Sequence, residues 1–327
     1  MGSEYFYCRR RKILGRKELL HRLGQMLVTL IGVTILTFGL TYIAPGDAVD
    51  AILETGDTLV SAEVVEQTRH ELGLDQPFHI QYLNWLTGLL HGDMGISYSA
   101  KMPVVDRMLL GAPGTLALTG IAIVMMLVVS VPAGIAAAVY RNSFIDYLSR
   151  VLSFLGVSMP SFWVGLLMLY IFGLKLGMFP ISGGEVDLRH MVLPAATLSV
   201  VMISKFTRQV RTAVLEELGK DYVTGAQARG IPMNKILWHH VLPNACLPLV
   251  TLLGTYIGWL LGGVAVVEMV FAWPGLGFMA VRAIMTRDFP LLMGFVLWIA
   301  IAYMVINLIV DASYYILNPR LKKRGGE

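Results

Sequence analysis

The sequence EELGKDYVTGAQARGIPMNKILWHHVLPN, residues 216–244, is a polar interruption in an otherwise apolar chain. Its first part, Glu216–Arg229, consists mostly of helix-forming residues, and the Gly-Ile-Pro sequence at 230–232 breaks that helix. Met233–Val241 can form a second short helix before the chain becomes apolar again. Connections between packed helices usually have roughly 2–8 residues. This polar loop is longer, which indicates that it meets a partner.

The apolar sequence on both sides of the polar loop is typical of an integral membrane protein. Hydrophobic residues make up 56% of the chain, charged residues 15%, and the mean hydropathy is +0.66. An average soluble domain has about 25% charged residues. Several apolar runs reach the roughly 20 residues that a helix needs to cross a bilayer. We therefore predict an all-α polytopic fold, built as one helical bundle.

The apolar runs predict six transmembrane helices. They lie at 23–43, 115–139, 151–174, 192–206, 246–270 and 291–317. The first run is too long for the apolar core of a signal peptide, about 7–15 residues, so we interpret it as an uncleaved helix. The remaining divisions are basic tails at 1–22 and 318–327, a lid at 44–113, and a five-helix core at 114–317 that contains the polar loop.

The distribution of charge predicts the orientation of these helices. Most Lys and Arg residues fall on the side that holds the tails and the polar loop, so the positive-inside rule makes both termini cytoplasmic. The net charge of +4 is thus explained by topology, without a nucleic-acid partner. The acidic lid then faces outward. Within it, Ser61–Leu72 has helical spacing, and Ile80–Leu90, with Tyr82 and Trp85, is typical of a segment at the membrane interface.

Two sets of residues within the predicted spans are candidates for close packing or for a substrate path. Gly254, Gly258 and Gly262 share one helix face, which either a helix of the same chain or a second subunit could fill. A kink at Pro160 and the polar pair Asn307 and Asp311 are candidates for the translocation path. Ordinary packing is the alternative for Pro160, and an interhelical hydrogen bond is the alternative for Asp311, which we take as the only candidate buried acid.

Sequence motifs for catalysis or metal binding are absent. Gly219-Lys220 is followed by Asp221, so it does not complete a phosphate-binding loop. His239 and His240 are consecutive and would point about 100° apart on a helix. The chain has two cysteines, too few for a thiolate zinc site. We expect no catalytic residues, no metal site and no cofactor bound by this chain.

Short motifs along most of the chain resemble one family. The polar loop contains Ala226-Gln227-Ala228-Arg229-Gly230 and continues as Leu242-Pro243-Asn244-Ala245. Further motifs lie at 72–77 (LGLDQP), 92–95 (GDMG), 158–163 (SMPSFW), 271–277 (FAWPGLG), 287–290 (RDFP) and 318–320 (NPR). In this order they resemble the permease subunits of bacterial ABC importers of the peptide/nickel branch. The family resemblance implies a type I permease core, similar to that of methionine importers, in the bacterial inner membrane.

The resemblance also implies the partners and the role of the polar loop. In this family a helix–Gly–helix inserts into a groove of a separate ATPase subunit. The positions that it assigns to docking are Asp221, Tyr222, Ala226, Ala228, Gly230, Pro243 and Asn244. Thr224 replaces the glutamate typical of the broader family. The expected partners are a homologous second permease in a heterodimer, two ATP-binding subunits that use ATP and Mg²⁺, and an extracytoplasmic binding protein, which would contact the lid near Tyr82 and Trp85.

The sequence leaves the substrate open. Phe271–Gly275 and Gly156–Pro160 look more like nickel or metal-chelate permeases, so nickel or a nickel chelate is our first expectation. A di- or oligopeptide importer is the alternative within the family. An ion or solute channel would not need the polar loop, and an intramembrane enzyme would need a catalytic pair that the spans lack.

Overall fold

A computed structural model describes residues 16–44, 49, 62–71, 73–181 and 187–317. Helices account for the regular structure of these residues, apart from one isolated bridge between Ile96 and Pro103. The tails at 1–15 and 318–327 and the predicted lid residues 45–48 and 50–61 lie outside the described residues.

The helices are numbered in chain order. They are α1 (Arg16–Ile43), α2 (Ala62–Glu71), α3 (Phe78–Leu90), α4 (Val104–Val139), α5 (Phe144–Ser158), α6 (Ser161–Met168), α7 (Leu188–Leu218), α8 (Asp221–Ala228), α9 (Met233–Ile236), α10 (Leu242–Val270), α11 (Leu276–Met285) and α12 (Phe289–Leu317). Two π-helical segments, Leu169–Lys175 and Leu237–Val241, extend α6 and α9. By length and apolarity, α1, α4, α7, α12 and the α9–α10 unit are each candidate spans.

The third predicted span, 151–174, is two helices rather than one kinked helix. Helices α5 and α6 meet at an angle of 102°, so together they form either a broken span or a re-entrant pair. The break falls where the sequence has Pro160. Proline lacks an N–H and disfavours helical geometry in the preceding residue, and Met159 is extended with φ −92° and ψ 130°. The chain therefore changes direction here.

Two further predicted spans are longer than the apolar runs. Helix α4 begins at Val104, inside the predicted lid, where Val104 is fully buried in a small cluster with Leu276 and Leu291. Helix α7 continues past Phe206 to Leu218, although its second half is polar. Tertiary contacts stabilise this polar half of the helix, because Arg211 pairs with a buried carboxylate on α5. Apolarity alone does not reveal such support.

The core of the bundle lies between α4 and α7, with α10 packed beside them. Leu118, Met126, Met202, Phe206 and Leu260 are buried there. Helix α1 lies at the periphery, packs against α12 and α3, and leaves most of its apolar side chains exposed. Such a surface is expected to face lipid, where apolar side chains need no cover.

The predicted glycine face of α10 has two different environments. A Cβ added to Gly254 would lie 2.2 Å from Val310, and one added to Gly258 would lie 2.3 Å from Tyr303, so α12 of the same chain packs against both glycines. Gly262 has nothing within 4 Å of an added Cβ. The intrachain alternative therefore applies to the first two glycines, and Gly262 is open.

Candidate functional site

The polar loop forms a compact helix–turn–helix at one end of the bundle. Gly219 ends α7, and α8 follows after Lys220. Gly230 then adopts φ +76°, a left-handed conformation that glycine adopts without strain. Its N–H donates to the carbonyl of Gln227 at 2.8 Å, and the N–H of Ile231 donates to that of Ala226 at 3.2 Å. Gly230 therefore ends α8 and turns the chain into α9.

One face of the loop is anchored in the core. The buried apolar side chains of the loop are Val223, Ala226, Ile236, Leu237 and Val241, and all belong to the same apolar cluster as α4 and α7. Ala226 was expected to contact a partner, but it is only 3% exposed and packs inside this chain. The motif identified the position, whereas the helix phase places its side chain inward. Ala226 thus holds α8 against the bundle.

The other face of the loop is exposed. It carries the remaining predicted docking residues, Asp221, Tyr222, Ala228, Gly230, Pro243 and Asn244. The hydroxyl of Tyr222 donates to Glu217 Oε2 at 2.9 Å, and Lys220 pairs with the other carboxylate oxygen. Partial burial and the neighbouring Glu217 carboxylate raise the pKa of Tyr222 above its ordinary value. Tyr222 therefore stays a neutral hydrogen-bond donor that ties α8 to α7.

A buried ion pair stiffens the bundle near the loop. Asp146 of α5 is fully buried and accepts from Arg211 of α7 at 2.6 Å and 2.9 Å. The N–H of Asn142 donates to the same carboxylate at 2.9 Å, and Arg150 Nε lies 3.4 Å from it. These contacts compensate the cost of burying the charge. They connect α5 to the helix that leads into the polar loop.

At the opposite end of the bundle, Glu268 joins α4, α10 and α11. Glu268 is fully buried, and the hydroxyl of Thr115 donates to Oε1 at 2.6 Å. The N–H of Phe278 donates to Oε2 at 2.8 Å, which satisfies an otherwise unpaired donor at the start of α11. Close by, Trp273 Nε1 donates to the carbonyl of Gly114 at 3.0 Å. The FAWPGLG motif is therefore a packed junction.

Asp288 attaches the segment before α4 to the start of α12. Its carboxylate is buried and accepts from the hydroxyls of Ser97 and Ser99 at 2.5 Å and 2.7 Å, and from the Ser99 N–H at 3.0 Å.

The expectation that Asp311 is the only buried acid is wrong, because Asp146, Glu268 and Asp288 are each fully buried. The sequence places Asp146 and Asp288 in connections between predicted spans, and Glu268 near the end of the predicted span 246–270. Their position beside apolar motifs was the available signal.

The predicted path residues occupy separate places. Pro160 is exposed at the bend between α5 and α6, and Asn307 is half-buried on α12. Asp311 forms an ion pair with Arg22 of α1. This ion pair between two helices favours the alternative of an interhelical contact for Asp311 over a role in lining the translocation path. The described residues contain no group of three His, Cys, Asp or Glu side chains that could hold a metal ion.

The lid helices attach to α1 through aromatic contacts. The ring of Phe38 lies 5.6 Å from that of Tyr82 and 5.7 Å from that of Trp85, and Tyr82 OH lies 3.0 Å from Thr34 Oγ1. Tyr82 and Trp85 therefore face the bundle, which differs from the expected outward contact. A cavity of about 600 Å³ lies between the lid helices and the start of α12.

Comparison with known families identifies this arrangement. Residues 130–323 match the model of the binding-protein-dependent transport system inner membrane component, and residues 16–119 match the N-terminal model of such membrane components. The chain belongs to this family. It is therefore a bacterial inner-membrane permease, a transport subunit rather than an enzyme, and its family implies ATPase and binding-protein partners.

Relatives of this permease match over nearly the whole chain. It is 37% identical over 331 residues to the probable D,D-dipeptide transport system permease DdpB of Escherichia coli K12, covering 92% of this chain and 96% of that protein. It is 34% identical over 336 residues to the dipeptide permease DppB of the same strain, covering 94% and 98%. The glutathione permease GsiC of Salmonella typhimurium is 37% identical over 303 residues, covering 93% and 98%.

A solved structure supports the fold. The inward-facing MetNI methionine ABC transporter matches with a TM-score of 0.54 at 19% identity, covering 65% of this permease and 96% of the matched chain. The fold is that of a type I ABC importer permease, as the sequence predicted.

Proposed function

We propose that this permease forms half of the translocation pathway of an ABC importer for di- or oligopeptides. The observation that carries the proposal is the set of relatives with at least 34% identity, whose names refer to D,D-dipeptide, dipeptide and glutathione transport. These names favour the peptide alternative over nickel, which was our first expectation from two short motifs. Those motifs form a packed junction and a bend, positions that carry no metal ligands.

Reconstitution tests this substrate class. The permease would be co-reconstituted in proteoliposomes with its second permease, its ATPase subunits and its binding protein. We expect ATP-dependent uptake of a labelled dipeptide that saturates with concentration. ATP-dependent uptake of ⁶³Ni²⁺ in the absence of dipeptide uptake would overturn the proposal and restore the nickel alternative. Binding of Ni²⁺ or a dipeptide pool to the isolated binding protein gives an independent check.

We further propose that the polar loop docks onto an ATPase subunit. Its exposed face carries Asp221, Tyr222, Ala228, Pro243 and Asn244, and its opposite face is anchored in the core. A rigid motif that is exposed on one side and buried on the other can transmit displacement between subunits. The proposed assembly contains this chain, a homologous permease and two ATPase subunits, which hydrolyse ATP with Mg²⁺.

The proposed orientation follows from the basic residues. Both termini and the polar loop are cytoplasmic, and the lid helices face outward, where the binding protein delivers substrate. The chain's Lys and Arg residues concentrate on the side of the loop, which supports this orientation.

A further inference from the structure

Two basic residues lie on one face of α7, within a helix long enough to cross the membrane. Lys205 is half-buried and Arg208 is exposed, three residues further along. Lys205 is 17 residues from Leu188 and 13 from Leu218, which places it about 25 Å and 20 Å from the two helix ends. Charged side chains within a membrane-spanning helix are costly in lipid and usually face a cavity or a partner.

Trp259 of α10 lies beside Lys205. The Lys205 Nζ atom is 4.6 Å from the centroid of the Trp259 ring, within the range of a cation–π interaction. Trp259 itself lies in the second half of α10, about 17 Å from the end of that helix at Val270. Its ring is 45% exposed, so the cation and the aromatic ring share an open surface. The contact holds the ammonium group against α10.

No described carboxylate forms a salt bridge with Lys205 or Arg208. Among Lys and Arg residues, the described ion pairs instead engage Arg22, Arg150, Arg211 and Lys220. The two cations therefore keep their charge available to a group that is not part of the described chain. A half-buried cation attracts an anion more strongly than a cation in bulk water does, because the effective dielectric constant near a protein surface is lower than that of water.

The surface of α10 beside Trp259 is small and polar. Thr251, Thr255 and Gly262 are exposed and recur with Trp259 at intervals of three or four residues, so they lie on one helix face. The hydroxyls of Thr251 and Thr255 donate to carbonyls of their own helix, so their oxygens can still accept hydrogen bonds. The exposed side of α1, by contrast, carries many large apolar side chains. This face of α10 thus suits a polar solute better than lipid.

We propose that Lys205, Arg208 and Trp259 form a carboxylate-binding site in the translocation path, which holds the C-terminal carboxylate of the transported peptide. The inference rests on the proposed peptide function and locates its substrate. Every linear peptide with a free C-terminus carries this carboxylate whatever its side chains, so one fixed cation can serve many sequences. The Trp259 ring packs along the peptide, and the two threonines accept from its N–H groups. A bare Ni²⁺ ion would be repelled by the same cations.

Peptide binding to the purified transporter tests the site. The complete complex would be assayed without ATP and without binding protein, using a labelled dipeptide and its C-terminal amide at up to millimolar concentration. We expect Lys205→Met to weaken binding of the free acid by about tenfold or more, the loss of one charge-assisted hydrogen bond. Lys205→Arg should retain most of the affinity. The amide should bind wild type weakly and be little affected by Lys205→Met.

Lys175→Met is the matched control, since Lys175 also lies over an aromatic ring, Tyr170, at 5.8 Å, but outside the proposed site. It should bind both peptides as wild type does. Equal weakening of acid and amide by Lys205→Met would make Lys205 a structural residue and overturn the site. Unchanged binding of the acid, or absence of wild-type binding at millimolar peptide, would also overturn it.

Lys205 could instead be needed for association with the second permease, and this would give a different pattern of results. If Lys205→Met fails to associate with the second permease while Lys205→Arg associates, the cation pairs with a carboxylate of that subunit, and the site is overturned. Failure of the proposed function is distinct, because wild-type proteoliposomes would then take up no peptide at all.

Discussion

The polar loop and the lid helices lie at opposite ends of the bundle, and they attach to it in different ways. The loop buries Val223, Ile236 and Val241 in the same core as α4 and α7. Helix α3 of the lid buries no residue fully and packs against α1 through the edges and faces of aromatic rings. Displacement of the loop must therefore move the core helices. Helix α3 has no such buried attachment to the core.

The largest expected effect contrasts two glycines with the same geometry. Gly230 in the loop and Gly92 after α3 have φ +76° and +83°, and each N–H donates to the carbonyl three residues before it. Proline fixes φ near −65° and removes this donor. We expect Gly230→Pro to abolish ATP-coupled uptake and the stimulation of ATPase activity, with insertion into the membrane intact.

Gly92→Pro is the control for a damaged turn at the other end. It should leave the association of the ATPase subunits unchanged in co-purification, since the proposed orientation puts the lid helices on the opposite side of the membrane. Normal ATP-coupled uptake by Gly230→Pro would contradict the proposal that the polar loop, unlike the lid helices, couples the permease to the ATPase subunits.

The next effect concerns the rigidity of the loop end. Asp146→Ala leaves Arg211 without its buried partner, and breaking such a pair costs about 3–5 kcal/mol. We expect a correspondingly lower unfolding temperature of the purified permease. The double variant Asp146→Leu with Arg211→Met should recover much of this loss, because it removes both charges. No recovery would indicate that other contacts, and not the ion pair, hold α5 to α7.

At the lid end, Asp288 is the corresponding buried anion. Asp288→Ala leaves the hydroxyls of Ser97 and Ser99 without their acceptor, at a cost of about 2–3 kcal/mol. Because these bonds hold the segment before α4, we expect faster proteolysis near residues 97–101 and little change in ATPase association. Asp288→Asn keeps one acceptor oxygen and should show a smaller effect. Loss of ATPase association in Asp288→Ala would mean that the two ends are coupled more tightly than the packing indicates.

The smallest expected effect is a difference in stability between leucine variants of two glycines of α10. Gly254→Leu would overlap Val310 and should destabilise the isolated permease by about 1–3 kcal/mol. Gly262→Leu meets open space and should leave the stability of the isolated chain unchanged. If Gly262 faces the second permease, the leucine would instead weaken assembly of the heterodimer. Chemical unfolding and co-purification measure the two effects separately.

The sequence predicted the helices better than their faces. Apolar runs locate spans because the bilayer requires every backbone group to be paired within a helix. The sequence could not predict that Ala226 points inward, because the direction of this side chain depends on how α8 is rotated relative to α7. Gly254 and Gly262 look equivalent in sequence, yet only the first meets α12. Glu268 lies within the predicted span 246–270 without any sequence signal for its contacts, and its burial follows from the approach of α4 and α11, two distant segments.

Site-specific crosslinking tests whether the exposed face of the polar loop contacts the ATPase subunits. Both native cysteines would be replaced by serine, and a single cysteine introduced at Ala228 in the loop or at His91 beside the lid; both positions are exposed. A bifunctional reagent would then be applied to the assembled transporter. We expect a crosslink from Ala228→Cys to an ATPase subunit and none from His91→Cys. A loop cysteine that fails to crosslink in an assembled, ATP-hydrolysing transporter would contradict this expectation.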